Sequence, residues 1–288
     1  MGGEHLRLKI YNLEFSYSST PVLKDICLNA DKAEFISILG PNGVGKSTLI
    51  HCINKILTPT AGAVLIDEEN VKDLPLKNLA KKIGYVPYAA NDTFPLTVVD
   101  TVLMGRHPHS NWKSTDKDLE IVYDTLKLMG IEHLAMRPFD ELSAGQHQKV
   151  MLARGLVQEP RILLLDEPTS NLDIRHQMEV TRILRDLSID KDMIVIMISH
   201  DLNIAAKYSD KLIMMYEGSI CAVGSPEEVI TEERLKIVYG VDSKVIYDDG
   251  RPHIILKDAV SDFETVKSSE ALTHLQKGRA ARSGLSST

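Results

Sequence analysis

The sequence predicts an α/β fold built on a mainly parallel sheet, and three short stretches predict it. Residues 35–39 (FISIL), 162–165 (ILLL) and 193–198 (MIVIMI) are strand-sized and apolar but for Ser37, the pattern of strands buried on both faces. The first leads into a helical spacing of Leu49, Ile50, Ile53 and Leu57, the second into one of Val180, Ile183, Leu184 and Leu187. All three end in residues that carry chemistry: the glycines from Gly40 onward, the adjacent acids Asp166 and Glu167, and Ser199 with His200. Ligands of open α/β sheets sit beyond the carboxyl ends of the strands. Three such ends predict one shared crevice.

The chain opens with β-type segments. Leu6-Arg7-Leu8-Lys9-Ile10 alternates, a turn follows at Ser18-Ser19-Thr20-Pro21, and residues 22–28 form a second segment. Tyr17 closes the first segment. A ring there can stack on a nucleobase, or be an ordinary packed or surface tyrosine. After FISIL comes Gly40-Pro41-Asn42-Gly43-Val44-Gly45-Lys46-Ser47-Thr48, an instance of G-x-x-x-x-G-K-[ST] lying between strand and helix. Its glycines let backbone N–H groups turn inward around phosphate oxygens. The helix that follows adds about half a positive charge at its N-terminus. In such a loop the lysine, here Lys46, reaches the β- and γ-phosphates, and the Ser47 hydroxyl ligates Mg²⁺. The predicted crevice is therefore a nucleotide site.

Further strands are read at 62–66 and 83–86, the second running into Pro87-Tyr88. Residues 89–95 read as a loop. From 97 to 129 the spacing is helical, with Leu119, Val122, Leu126 and Met129 on one face. Within it lies Gly105-Arg106-His107-Pro108-His109. Two close histidines suit a metal, but no third ligand is near and Pro108 marks a loop, so ordinary loop histidines are expected. Ser143 stands where it can N-cap a helix carrying Val150, Leu152, Leu156 and Val157. An uncompensated buried carboxylate is costly, so Asp166 and Glu167 are read with a cation. Residues 211–215 and 219–223 form a hairpin around Glu217-Gly218. Shorter elements run to about 256. The polar, weakly periodic stretch beyond is expected to be partly disordered.

With 288 residues, 43% hydrophobic and 25% charged, the chain can build an ordinary core. A net charge of −7 disfavours a nucleic-acid surface. Cys27, Cys52 and Cys221 follow no disulfide or ligand spacing, which suits a reducing compartment. No apolar run approaches the roughly 18 residues a membrane span needs. The N-terminus shows no secretory pattern, and Leu6 stands where myristoylation after Gly2 would need Ser or Thr. A subunit that reaches a membrane only through a partner is expected.

In this order the pieces resemble the ATP-binding subunit of ATP-binding cassette transporters, over residues 6–256. GPNGVGKST is similar to the family's phosphate loop. Leu142-Ser143-Ala144-Gly145-Gln146 is similar to its signature, usually LSGGQ. ILLLDEPTSNLD at 162–173 is similar to its Mg²⁺ strand, catalytic glutamate and D-loop, the last formed by Ser170, Asn171, Leu172 and Asp173. Ser199-His200 is similar to its switch histidine, and Tyr17 falls where the family stacks adenine. The resemblance implies a P-loop NTPase core, an N-terminal antiparallel β subdomain and an inserted α-helical subdomain at about 92–158. Together they make one ATPase domain, 1–256, followed by a polar tail, 257–288.

The resemblance also implies a mechanism. Two ATPase subunits, a homodimer, close head-to-tail over two ATPs. Each ATP lies between the Gly40–Thr48 loop of one chain and Ser143 and Gly145 of the other. Asp166 holds Mg²⁺ through water, with Ser47; Glu167 polarises the attacking water; His200 contacts the γ-phosphate. Closure and reopening drive a separate permease, which puts the subunit on the cytoplasmic face of the plasma membrane. Two positions depart from the pattern. Ala144 replaces a signature glycine. Val86-Pro87-Tyr88 replaces the family's V-P-Q, so the glutamine that touches Mg²⁺ is missing. The Tyr88 hydroxyl acting through water, Asn91, or neither are the alternatives for its role. The block around MGRHP and Val238-Tyr239-Gly240-Val241 are similar to importers of iron chelates, haem and cobalamin. Those importers use a two-subunit permease and an extracytoplasmic binding protein. The permease contact is expected near residues 88–98, through Phe94, Leu96 and Val98. An exporter subunit is a near alternative. A cassette for DNA repair or translation is disfavoured by the single acidic cassette without a long coiled-coil insertion.

Overall fold

The structure, a computed structural model, describes residues 6–31, 33–88, 96–109, 115–170 and 172–261. The opening alternation becomes β1 (Arg7–Tyr17) and β2 (Thr20–Asp31), paired antiparallel across a turn at Ser18-Ser19. Leu8, Ile10, Leu13 and Phe15 of β1 face inward. The parallel core starts with β3 (Phe35–Leu39), which leads through the glycine loop into α1 (Lys46–Ile53). β4 (Ala61–Ile66) and the short β5 (Glu69–Asn70) return to the antiparallel sheet, whose order is β2-β1-β4-β5. α2 (Leu76–Lys82), which carries no helical signal in the sequence, then precedes β6 (Ile83–Val86).

A helical insertion separates β6 from the next core strand: α3 (Val98–Leu103), α4 (Asp116–Leu128) and α5 (Ala144–Leu156). The core resumes with β7 (Ile162–Leu165), α6 (Ile174–Asp190), β8 (Ile194–Ile198), α7 (Leu202–Tyr208) and the hairpin of β9 (Lys211–Tyr216) and β10 (Ser219–Gly224). The six-stranded sheet has the order β10-β9-β3-β8-β7-β6, parallel except for β10. Every residue of β3, β7 and β8 is buried, which is why these strands read as unbroken apolar runs. α8 (Pro226–Val229), α9 (Glu232–Tyr239) and the pair β11 (Val241–Asp248) and β12 (Arg251–Ala259) finish the described chain. The Asn203 amide of α7 holds that hairpin, accepting from Ile254 N at 2.7 Å and donating to Ile254 O at 3.2 Å.

The insertion corrects one predicted face. Leu119 is 46% exposed, whereas Val122, Leu126 and Met129 are buried. Asp118 takes the inward place on α4 because it pairs with a buried cation. Arg106 Nε donates to Asp118 Oδ1 at 2.9 Å, with the two side chains 7% and 8% exposed. The same guanidinium donates to Val157 O and to Glu159, both at 2.7 Å. Gly105 permits this approach, since a Cβ there would lie 2.2 Å from Arg154 O. Thus MGRHP ties the start of the insertion to its end. His109 Nε2 lies 2.8 Å from Gln158 O, the contact of an ordinary loop histidine. Among the described residues no group of three metal-capable side chains occurs.

Candidate nucleotide site

The glycine loop is wedged between strands. Gly40 has φ 146°, and a Cβ on it would sit 2.6 Å from Met215 O of β9. Gly45 has φ 106°, and its Cβ would sit 2.8 Å from Leu23 Cδ2 of β2. Gly43 has φ 77° with nothing within 4 Å. The loop is held on its flanks while its tip, Asn42 and Gly43, is exposed. Val44 and Thr48 are buried, so Val44 offers a bound group its backbone alone. Lys46 Nζ donates to Gly40 O at 2.8 Å and Pro41 O at 3.0 Å. Burial lowers the Lys46 pKa, opposed by Glu167 and Asp166.

β7 delivers the acids. Asp166 N donates to Val86 O at 2.9 Å, extending the parallel pairing one residue past β7. Its Oδ1 accepts from Ser47 Oγ at 3.1 Å. Burial pushes the Asp166 pKa up; the Ser47 hydroxyl opposes this and the Glu167 charge adds to it. A buried carboxylate beside a hydroxyl is a hard-oxygen donor set that fits Mg²⁺, and the glycine loop whose flanks admit no Cβ fits a phosphate chain. Glu167 has φ 51°, and its Oε1 lies 2.5 Å from His200 Nε2. Sites read from three separate stretches are thereby brought together: Lys46, Ser47, Asp166, Glu167 and His200.

The remaining candidates surround this centre. Tyr17 is half-exposed at the tip of the β1–β2 hairpin, edge-on to Phe15 with ring centroids 4.8 Å apart. Phe15 pairs with Leu23, the residue against Gly45. Ser143 caps α5 in a capping box: Ser143 Oγ accepts from Gln146 N at 3.4 Å, and Gln146 Oε1 accepts from Ser143 N at 3.1 Å. Ser143 and Ala144 are exposed and Leu142 is half-buried. A Cβ on Gly145 would lie 3.4 Å from Leu172 Cδ2, so signature and D-loop lie side by side within one chain. Asp173 caps α6, accepting from His176 N at 2.9 Å. Ser170 is exposed and Asn171 lies outside the described residues.

Tyr88 is 47% exposed, two residues past β6. Asn91 and Phe94 lie outside the described residues. Leu96 is half-exposed, but Val98 is fully buried in the insertion's core, so this part of the predicted permease contact is corrected. Thr97, the N-cap of α3, turns the chain so that Val98 enters that core. Sequence reasoning missed His51 and Tyr85. His51 stands one turn along α1 from Ser47, and its Nε2 is 3.0 Å from the Tyr85 hydroxyl. Burial pushes the Tyr85 phenol up to about 12, and both side chains lie within electrostatic reach of Asp166. The i, i+4 spacing of Ser47 and His51 was the available signal.

A phosphate loop facing two carboxylates and a histidine across the carboxyl edge of a parallel sheet is the working end of a P-loop nucleoside triphosphatase. The family model described as "ABC transporter" matches residues 23–170, and the chain belongs to that family, as one of its ATP-binding ATPase domains. An uncharacterized ABC transporter ATP-binding protein of Methanocaldococcus jannaschii is 48% identical over 248 residues, 86% of this chain and 97% of that one. The ferric enterobactin transport ATP-binding protein FepC of Escherichia coli is 36% identical, covering 86% and 93%. The dimeric structure of MJ0796, a bacterial ABC transporter cassette, matches at a TM-score of 0.69 and 30% identity, covering 76% of this chain and 98% of that one. Among the described residues no helix is long and apolar enough to cross a membrane.

Proposed function

We propose that this chain is the ATP-hydrolysing subunit of an importer, energising uptake of an iron chelate, haem or cobalamin through a separate membrane permease. The observation that carries the reading is the convergence of Lys46, Ser47, Asp166, Glu167 and His200 at one sheet edge, joined to a relative named for ferric enterobactin transport. Lys46 leaves its two carbonyl partners for the β- and γ-phosphates. The Gly40–Thr48 loop offers backbone N–H groups to the same oxygens, and Tyr17 stacks on the base. Ser47 and Asp166 would hold Mg²⁺, which would neutralise phosphate charge. Glu167 orients the attacking water and takes its proton, while His200 fixes the Glu167 carboxylate and reaches the γ-phosphate. Positioned charges of this kind do most of the work in phosphoryl transfer.

Two copies act head-to-tail, each lending Ser143 and Gly145 of its exposed signature to the other's ATP, with Ser170, Leu172 and Asp173 beside the seam. The dimer sits on the cytoplasmic face of the plasma membrane, beneath a two-subunit permease served by an extracytoplasmic binding protein. The test is co-purification with that permease, then ATPase assays in liposomes with the binding protein inside. Loading the binding protein with an iron chelate, haem or cobalamin should raise the rate. A permease that responds to none of the three removes the importer reading. Leu96→Glu should weaken the permease complex while ATP binding holds; an intact complex moves the contact elsewhere.

A further inference from the structure

We propose that Gln177 is a positioning residue for hydrolysis, its side-chain amide fixing the turn that aims the Glu167 carboxylate. This rests on the reading of Glu167 above. Glu167 holds a left-handed backbone (φ 51°) immediately before Pro168, an uncommon conformation for a residue with a Cβ. The surroundings are a short turn. Glu167 O accepts from Ser170 N at 3.3 Å and from Ser170 Oγ at 3.1 Å. Thr169 O accepts from Leu172 N at 3.1 Å and from Gln177 Nε2 at 3.0 Å. Three of these four bonds span three residues and travel with the turn. The Gln177 bond spans eight and comes from α6.

Gln177 is itself fixed, since its backbone N donates to Asp173 O at 2.9 Å. Thr169 is buried, so water does not readily replace the amide as donor. The bond therefore sets the distance between the acid strand and α6, and the turn between them has one length. Without it the turn keeps its local bonds but loses its tether. Glu167 then wanders from His200, and a misplacement of this size lowers the rate rather than the affinity for ATP.

The experiment uses the full chain and its basal ATPase, with Glu167→Gln as the control on the underlying reading. Gln177→Met keeps the length and removes the donor. It should lower kcat about tenfold, the value of one lost net hydrogen bond, with KM for ATP within about twofold and a fall in thermal midpoint of no more than about 4 °C. Gln177→Lys restores a donor and should recover most of kcat. Wild-type kcat in Gln177→Met overturns the inference while an inactive Glu167→Gln leaves the site reading intact. So does a loss that comes with a larger fall in thermal midpoint and is equal in Gln177→Lys, which would make Gln177 a packing residue. A Glu167→Gln variant that hydrolyses ATP normally overturns both.

Discussion

Gly40→Ala tests whether the phosphate loop is held by the sheet. Two costs add. A residue with a Cβ at φ 146° lies in a region open essentially to glycine alone, at about 1–3 kcal/mol. The new methyl would also stand 2.6 Å from Met215 O and 3.1 Å from Val44 Cγ1, and overpacking of this kind costs about 1–3 kcal/mol. Met215 O is backbone inside β9, so it cannot swing aside as a side-chain end would. Together the costs span about 2–6 kcal/mol, and a value of about 3 kcal/mol lies toward the low end. Absorbed by stability, that is a fall of roughly 6 °C or more in thermal midpoint. Absorbed by the loop leaving its bound shape, it is about 150-fold in ATP affinity. Gly43→Ala is the matched control. Its φ is 77° but nothing lies within 4 Å, so only the backbone cost of about 1–2 kcal/mol remains. Thermal melts and titration with a fluorescent ATP analogue read both quantities. If Gly40→Ala loses no more than Gly43→Ala in either, the wedge against β9 does not shape the loop.

Glu167→Gln should lower turnover by about two orders of magnitude or more while ATP binding persists and an ATP-bound dimer accumulates on sizing; near-normal phosphate release ends its role as base. Arg106→Ala leaves Asp118 buried without its cation and should cost about 3–5 kcal/mol in denaturant unfolding; a loss under about 1 kcal/mol contradicts the pairing. The Thr115 backbone N–H, and then Arg106, hold the Asp118 pKa down at about 2. Its stabilisation is therefore complete above the ordinary carboxylate range near pH 4 and fades as pH falls toward 2. The stability gap between wild type and Asp118→Asn should narrow over that window, and a gap independent of pH refutes the assignment. Tyr88→Phe, assayed with the permease present, should lower turnover roughly tenfold and Tyr88→Gln should restore or exceed it; an unchanged Tyr88→Phe rejects the hydroxyl role.

What the sequence disclosed follows from how each element is stabilised. β3, β7 and β8 are buried on both faces, so they read as apolar runs, and the phosphate loop is contiguous, so its spacing alone carries it. Signature, acids and histidine were legible as fragments, but the 2.5 Å approach of His200 to Glu167 belongs to the parallel pairing of β7 with β8. α2 was illegible because it buries only Leu79 and starts at Pro75 without a side-chain cap. The α4 face was misread at Leu119 because the inward position belongs to a charged residue whose partner lies 12 residues upstream. The His51–Tyr85 contact spans 34 residues and the Gln177–Thr169 bond joins a helix to a turn. Neither leaves a periodic trace.

The grip of Gly105 and Arg106 on Arg154 and Val157 makes α5 a rigid arm of the insertion. Its carboxyl end is clamped to the start of the insertion, just downstream of the residues facing the proposed permease contact. Its far end carries Ser143 at an exposed tip, and the turns behind that tip are braced: His147 lies against Phe139 with ring centroids 4.1 Å apart, and Lys149 Nζ is 3.4 Å from Glu179 of α6. A helix of this length reaches about 20 Å, so a tilt of about 5° at the clamp carries the signature tip about 2 Å. That stroke is comparable to the difference between a hydrogen bond made and one broken. In the assembly proposed above, the stiffness of this braced helix would set how much of a motion at the membrane side reaches the neighbouring copy's phosphate.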